Sequence, residues 1–254
     1  MGNFQFYYDF LDYTVTADSE NAFYPVVNLE DYDHTRRHYR AENATPGIWV
    51  KFNLGSLKTI KGIFINDCNF PSSTVQVCTT DAWGSPDRFN STLTVSQDIR
   101  VGRYKMLCNP ALSETAQYVR ILMLGSNIDL SVYRAGSIII AGSLIEFTDN
   151  PIYPYSFKAD ENIVTVDMES GAFEDVNVGP RIWEGTFGFE SLRENESQIW
   201  TLNSAIPKAT NCIFHENCGD TSKAYLCRRR TPIQVTWNNP AMSSFESMTF
   251  REVY

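Results

Sequence analysis

Short segments in which apolar and polar residues alternate dominate the chain from residue 48 to residue 147. Each segment ends at Gly, Pro, Asn or Asp. Such alternation is typical of strands that bury one face. Strands are therefore predicted over residues 48–54, 61–67, 74–79, 104–108, 118–124 and 137–147. No helical period intervenes, so the pattern predicts a sandwich or barrel rather than alternating strands and helices.

The alternation breaks at residues 148–151, which read Thr-Asp-Asn-Pro, and Pro154 follows closely. Proline has no amide proton to give to a strand ladder, so it excludes a central strand at these positions. We therefore predict two domains, residues 1–147 and residues 148–254.

Beyond that boundary the strand pattern resumes, and a single helix is predicted. The helix covers residues 195–206, because Asn195 supplies an N-cap and Pro207 stops it. Apolar residues recur between them at helical spacing, at Ile199, Leu202 and Ile206. Strands are predicted over residues 163–168, 181–189, 211–215, 224–229, 233–237 and 247–253. The second domain is thus expected to be a β-sandwich or split barrel with one short helix.

Charge and hydropathy exclude two classes of partner. The formal net charge is −9, and the only basic run is Arg228-Arg229-Arg230. Binding to a phosphate backbone needs an excess of basic side chains, so nucleic acid is excluded. No apolar run approaches the ~20 residues of a membrane span. The first residues also lack the charged and apolar regions of a signal peptide, so we expect no export.

Six cysteines lie along the chain, and without an export signal we expect them to be reduced. Three of them and a histidine lie close enough in sequence for a zinc-type ligand set: Cys212, His215, Cys218 and Cys227. In a strand, however, Cys212 and His215 face opposite sides. We therefore expect no metal and no cofactor, and the four residues remain an alternative.

Motifs of catalysis are missing from the sequence. It has no nucleophile elbow, no His-Glu-x-x-His, no phosphate-binding glycine loop and no Gly-x-Gly-x-x-Gly. Acidic pairs such as Glu174-Asp175 lie in predicted loops, where solvated side chains are the ordinary interpretation. We expect the protein not to be an enzyme.

A series of segments in the first half follows a family pattern. The segments are Tyr24-Pro25, Asn28-Leu29, Arg40-Ala41, residues 49–55 (Trp-Val-Lys-Phe-Asn-Leu-Gly), residues 60–65 and Tyr118-Val119-Arg120-Ile121. Together they resemble the discoidin, or F5/8 type C, family, whose domains are galactose-binding-like jelly rolls. The resemblance covers residues 22–147. It implies an all-β fold, with a jelly-roll β-sandwich in the first domain before the second β-domain.

The resemblance also implies a place for a ligand. Sugar-binding members of the family hold their ligand among the loops at one end of the sandwich. Exposed aromatic and arginine side chains there suit both sugar stacking and protein interfaces. Carried over by position, the binding candidates are Arg36, Arg37, Tyr39, Phe70 and Trp83.

Departures from the family narrow the expected function. The disulfide that closes secreted members and the frequent calcium loop have no counterpart here, which favours a non-secreted member. A subgroup in tailed bacteriophages joins such a jelly roll to a second β-domain. Residues 181–189 (Arg-Ile-Trp-Glu-Gly-Thr-Phe-Gly-Phe) and Trp200 are similar to the second domain of phage tail-tip and baseplate proteins.

The leading hypothesis is therefore a non-enzymatic virion structural protein of a phage tail tip or baseplate. It is expected in the virion tail after assembly in the host cytoplasm. Its expected partners are other tail proteins, further copies in a homo-oligomeric ring and, during host attachment, a surface glycan. The alternative is a carbohydrate-binding module or lectin-like adhesion protein.

Overall fold

The computed structural model describes residues 4–30, 38–43, 45–98, 103–108, 114–125, 132–147, 152–167, 173–188, 196–216, 219–233, 235–239, 242–245 and 247–253. Regular structure in these ranges is almost entirely β-strand, joined by one α-helix and one 3-10 helix. The all-β fold class is confirmed.

The strands before residue 148 form the first half of the molecule. They are β1 (Gln5–Phe10), β2 (Thr14–Ala17), β3 (Tyr39–Arg40), β4 (Trp49–Ile60), β5 (Gly62–Cys68), β6 (Ser72–Cys78), β7 (Phe89–Thr94), β8 (Ser96–Asp98), β9 (Arg103–Cys108), β10 (Glu114–Leu124) and β11 (Arg134–Glu146). The 3-10 helix covers Val26–Glu30 between β2 and β3.

The start of β4 shows why these segments become strands. Val50, Phe52 and Leu54 are buried, whereas Lys51 and Asn53 between them are partly exposed. Each of the six strands predicted for this half overlaps an observed strand.

Two sheets enclose the core of the first half. One has the strand order β2-β4-β10-β6-β7, and the other contains β11, β5, β9 and β8, with β3 paired to β11. Alternate residues of both sheets meet in a cluster of buried side chains that is mainly aliphatic. The predicted β-sandwich of the first half is confirmed, and it also includes β2, which lies before residue 22.

The second half adds strands and a helix. The strands are β12 (Ile152–Asp167), β13 (Phe173–Gly188), β14 (Asn211–His215), β15 (Ala224–Arg229), β16 (Val235–Asn239), β17 (Met242–Phe245) and β18 (Met248–Glu252). The helix α1 covers Glu196–Ala205, in agreement with the prediction over residues 195–206. It buries Ile199 and Leu202, the residues whose spacing predicted it.

One sheet runs through both halves of the molecule. Its order is β12-β13-β18-β15-β14-β1-β11-β5-β9-β8. β1 joins the halves, because Phe6 is paired with Ile145 of β11 on one side and with Phe214 of β14 on the other. The division into domains 1–147 and 148–254 stays a prediction, while the hydrogen-bonded ladder is continuous across β1.

The expectation that Pro154 excludes a central strand holds, although an edge strand that the sequence did not predict begins before it. Strand β12 begins at Ile152 and includes Pro154. It is the edge strand of its sheet, and its register with β13 is irregular between Ile152 and Ser156. An edge position with irregular pairing tolerates a proline, which a central position would not.

Within the described ranges, no helix is both long and apolar enough to cross a membrane.

Candidate functional site

A tight turn presents an aromatic ring at one end of the sandwich. The backbone N–H of Tyr24 donates to the Asn21 carbonyl (2.9 Å), and the Asn21 side-chain oxygen accepts from the Phe23 backbone N–H (3.0 Å). Further backbone hydrogen bonds join this turn to Arg40, with N···O distances of 2.9 and 3.1 Å. Phe23 at the tip is 86% exposed.

Polar and aromatic side chains stack next to that tip. The His38 ring lies on the Tyr24 ring, with centroids 4.7 Å apart and planes 22° apart. The Arg40 guanidinium lies 4.3 Å from the Tyr24 ring centroid, and Arg40 Nε donates to His38 Nε2 at 2.7 Å. We call Phe23, Tyr24, His38 and Arg40 the Phe23 cluster.

The neighbouring side chains fix the position of this cluster. The Asn28 side-chain amide donates to the His38 carbonyl at 3.0 Å, and the Glu20 carboxylate accepts from the Val26 backbone N–H at 3.0 Å. Val27 beside them is 52% exposed. The end of the sandwich therefore combines an exposed apolar ring with an imidazole and a guanidinium held in place.

Tyr39, a candidate from the sequence, points away from this surface. Its ring is fully buried, and its hydroxyl donates to the Ser19 carbonyl at 2.5 Å. Burial raises the pKa of Tyr39. The expectation of an exposed ring is corrected: β3 pairs Tyr39 with Ala135 of β11, so Tyr39 takes the core side and its neighbour Arg40 the outer side.

Phe70 is also part of the core rather than of a ligand surface. Its ring is fully buried and meets the Tyr133 ring edge-on, with centroids 6.3 Å apart. The expectation of an exposed Phe70 is therefore corrected as well. Arg36 and Arg37 lie outside the described residues.

Trp83 comes from the opposite end of β6. Phe70 precedes the first residue of that strand, whereas Trp83 follows its last residue by five positions. The Trp83 ring is half-buried; its Nε1 donates to Asp81, and the Arg120 guanidinium lies 4.4 Å from its centroid. The described candidates therefore do not form one cluster.

Sequence reasoning missed the residues that do cluster. Tyr24 and Arg40 belong to the family pattern but not to the predicted binding residues, and no prediction from the sequence includes Phe23. A signal was present, because Asn21 two residues before Phe23 is typical of a side-chain-capped turn. That signal places an apolar ring at a turn tip, where it cannot reach a core.

The cysteine and histidine alternative for a metal site finds no support in the described geometry. The buried side chains between one sheet face and α1 form a second core around Phe6, Phe214 and Phe250, distinct from the first core between the two sheets. Cys212 and Cys227 are cross-strand partners in this second core, with sulfur atoms 3.7 Å apart. His215 faces away from them, and its nitrogens contact the side-chain oxygen of Gln5 and the carbonyl of Asp220. Cys218 lies outside the described residues, among which no group of three metal-ligating side chains occurs.

The thiols of the described residues are free and buried. Burial raises the pKa of Cys108 to about 12, and burial together with Cys212 raises the pKa of Cys227. Thiols of this kind hold little reactive thiolate at neutral pH.

Comparisons with known proteins give a likeness for about half of the chain. No family model matches, and no curated protein matches. Chitosan-binding module 1 of a chitosanase/glucanase from Paenibacillus sp. IK-5 is 21% identical, with a TM-score of 0.40 over 52% of this chain and 96% of the module. CBM32 of AlyQ in complex with 4,5-unsaturated mannuronic acid is 17% identical, with a TM-score of 0.42 over 54% and 100%. Reduced XRCC1 bound to the DNA pol beta catalytic domain is 15% identical, with a TM-score of 0.43 over 53% and 99%.

Proposed function

We propose that the protein is a non-enzymatic binding protein and that the Phe23 cluster binds a carbohydrate. The observation that carries the proposal is the 86% exposed Phe23 ring on a hydrogen-bonded turn beside His38 and Arg40. An aromatic ring stacks on the apolar face of a sugar, and the imidazole and guanidinium offer polar contacts to its hydroxyl groups.

Rigidity supports a ligand site over an incidental exposed ring. A single exposed apolar residue is ordinary on a protein surface. Here backbone and side-chain hydrogen bonds fix the turn, and the Tyr24 ring holds His38 and Arg40. A preorganised site loses little conformational entropy on binding. The modules named above are carbohydrate-binding by their names, and the same ligand class is proposed here on the geometry of the cluster.

Titration of Phe23→Ala against a panel of neutral oligosaccharides tests the proposal. We expect at least one sugar to bind the unmodified protein and Phe23→Ala to weaken that binding at least tenfold with an unchanged melting temperature. Phe157→Ala is the matched control, because Phe157 is 47% exposed in the second half and should leave binding unchanged. Equal affinities of unmodified protein and Phe23→Ala for every bound sugar would refute it.

A second candidate function is the virion structural role, in which copies assemble with one another or with other tail proteins. The observation in its favour is a ribbon formed by residues 160–167 of β12 and 173–182 of β13, which we call the ribbon arm. Strand β18 pairs with β13 only over Glu184–Phe187, so in the described ranges no third strand covers the ribbon arm. An isolated two-stranded ribbon is marginally stable in water, and a partner would complete it.

Replacement of residues 161–181 by a short turn tests this second candidate. We expect the unmodified protein to form oligomers by light scattering and the shortened protein to be monomeric with its Phe23 cluster intact. Mass spectrometry of purified virions should then find the chain in the tail. A protein that is monomeric at every concentration and absent from purified virions would exclude the assembly role.

A further inference from the structure

A row of polar side chains crosses the outer face of the five-stranded sheet. Its members are direct neighbours on four successive strands, in the order Lys51, Arg120, Gln76 and Asn90. The residues that alternate with them along the strands face the core. We call these four residues the Arg120 row.

Two cations lie side by side in this row. Lys51 of β4 and Arg120 of β10 are cross-strand partners, and like charges in that position destabilise a sheet. The chain as a whole is acidic, with a net charge of −9, whereas these two neighbouring side chains are both cationic. Two adjacent cations can donate charge-assisted hydrogen bonds to one negative group.

An indole ring accompanies each cation. The Arg120 guanidinium lies 4.4 Å from the Trp83 ring centroid, and Lys51 Nζ lies 5.8 Å from the Trp49 ring centroid. Both indole rings are half-buried and contribute to the same outer face. Tryptophan and arginine together are the residue types that dominate binding surfaces.

One carboxylate organises the surface without cancelling its charge. Asp81 accepts from Lys51 Nζ at 2.7 Å and from Trp83 Nε1 at 2.5 Å. The hydrogen bond from Lys51 is the main cause that lowers the pKa of Asp81, which therefore stays ionised. Two cations against one carboxylate leave a local charge of +1.

Arg120 is held in a pose suited to an acid group. Its Nε donates to the Gln76 side-chain oxygen at 2.8 Å, and Gln76 donates in turn to the Asn90 side-chain oxygen at 3.3 Å. Guanidinium carries five N–H donors, so the terminal nitrogens provide the paired donors that fit a carboxylate or sulfate.

We propose that this face binds an acidic oligosaccharide. Lys51 and Arg120 contact its carboxylate or sulfate, Trp83 and Trp49 pack against its sugar rings, and Asn90 contacts its hydroxyl groups. The site shares no residue with the Phe23 cluster and does not depend on the function proposed for that cluster.

Calorimetric titration of the full chain with a hexamer of mannuronic acid tests the carboxylate form, and a sulfated hexasaccharide tests the sulfate form. We expect at least one acidic hexamer to bind at low salt and to weaken as salt rises, because exposed charges are screened. An uncharged hexamer of glucose should bind at least tenfold more weakly at this site.

Variants locate the binding. Arg120→Gln and Lys51→Gln should each weaken acidic hexamer binding at least tenfold, while the matched control Arg88→Gln, an exposed arginine on the loop that carries Trp83, should not. Lys51→Gln keeps the experiment decisive if Arg120→Gln fails to fold. Phe23→Ala should leave acidic binding intact. The proposal is overturned if neither acidic hexamer binds, if Arg88→Gln is as weak as Arg120→Gln, or if an oligonucleotide binds equally well.

Discussion

The first core and the second core are filled by different kinds of side chain. Among described residues, four of the 26 buried residues of the first core are aromatic, against eight of the 15 of the second. The first core lies between two sheets whose branched aliphatic residues interlock. The second lies between one sheet face and the helix α1, so large rings fill the space. The stability of a core that consists of a few large rings therefore depends more strongly on each single ring.

Removal of one ring from the second core should have the largest effect on stability. Phe6 of β1 lies between aromatic rings of the second core, with centroid distances of 5.0 Å to both Phe214 and Phe250. We expect Phe6→Ala to lower the free energy of unfolding by about 4 kcal/mol, because the cavity cannot close around stacked rings. Urea denaturation followed by circular dichroism measures it.

Phe52→Ala is the matched control in the first core. Phe52 is equally buried, and the ring contact found for it is to Tyr13, at 4.8 Å. We expect a smaller loss there, because aliphatic neighbours can relax into the space. A loss for Phe52→Ala equal to or above that for Phe6→Ala would contradict the comparison.

Substitution in the buried charged contact between the first and second halves of the molecule should have the next largest effect on stability. Lys105 of β9 and Asp98 of β8 are buried with Nζ and Oδ2 3.4 Å apart, and Tyr225 of β15 donates its hydroxyl to Asp98 at 2.5 Å. We expect Asp98→Ala to lower the free energy of unfolding by about 3 kcal/mol, because it removes the carboxylate that faces the buried Lys105 ammonium. Thermal unfolding of the double variant Asp98→Ala with Lys105→Met should show most of that loss recovered. A double variant no more stable than Asp98→Ala would refute the charge explanation.

The sequence predicted the parts of the fold that local patterns determine. Strands β14 and β15 match their predicted bounds, residues 211–215 and 224–229, because alternation and flanking turn residues are local signals. Strand β1 was not predicted, since its aromatic residues do not alternate with polar ones and its role comes from pairing with distant strands. The Arg120 row likewise depends on the register of four strands, which no single segment encodes.

The candidate site was predicted less well than the fold. The sequence predicts Tyr39 and Phe70 in exposed loops, but strand pairing at β3 and packing against Tyr133 bury them. Trp83 does lie on an outer surface, although away from the loops expected to accompany it. Whether an aromatic ring serves a core or a ligand thus depends on tertiary register rather than on residue type.

The junction between the two regions should also respond to pH. Burial lowers the pKa of His215 below its ordinary value of 6.5. As the pH falls below about 6.5, His215 of the unfolded chain binds a proton, whereas the buried His215 of the folded chain does not yet do so. Acid therefore favours unfolding. Stability is full above that value and is lost below it, with a limiting slope of about 1.4 kcal/mol per pH unit.

A variant isolates the histidine contribution from that of the carboxylates. His215→Gln keeps a side chain that can hydrogen-bond with Gln5 but does not titrate. Between pH 7.5 and pH 5.5 we expect the unmodified protein to lose more unfolding free energy than the variant, by at most about 1.4 kcal/mol. Parallel pH profiles of the denaturation midpoint for the two proteins would show that His215 does not cause the loss of stability in acid.

The smallest effect should come from an aromatic residue of the second half that lies outside its core. Trp200 on α1 is 45% exposed, whereas Trp183 is buried and stacks on Tyr225 with centroids 4.2 Å apart. We expect Trp200→Gln to change the free energy of unfolding by less than about 0.5 kcal/mol, because an exposed helical position accepts either side chain. Chemical denaturation measures the change, with Leu202→Ala on the buried face of α1 as the contrast at about 2–5 kcal/mol. If Trp200→Gln lowered the free energy of unfolding by more than about 1 kcal/mol, exposed aromatic residues would also stabilise the second half. Burial of rings around Phe6 would then not be what distinguishes the two cores.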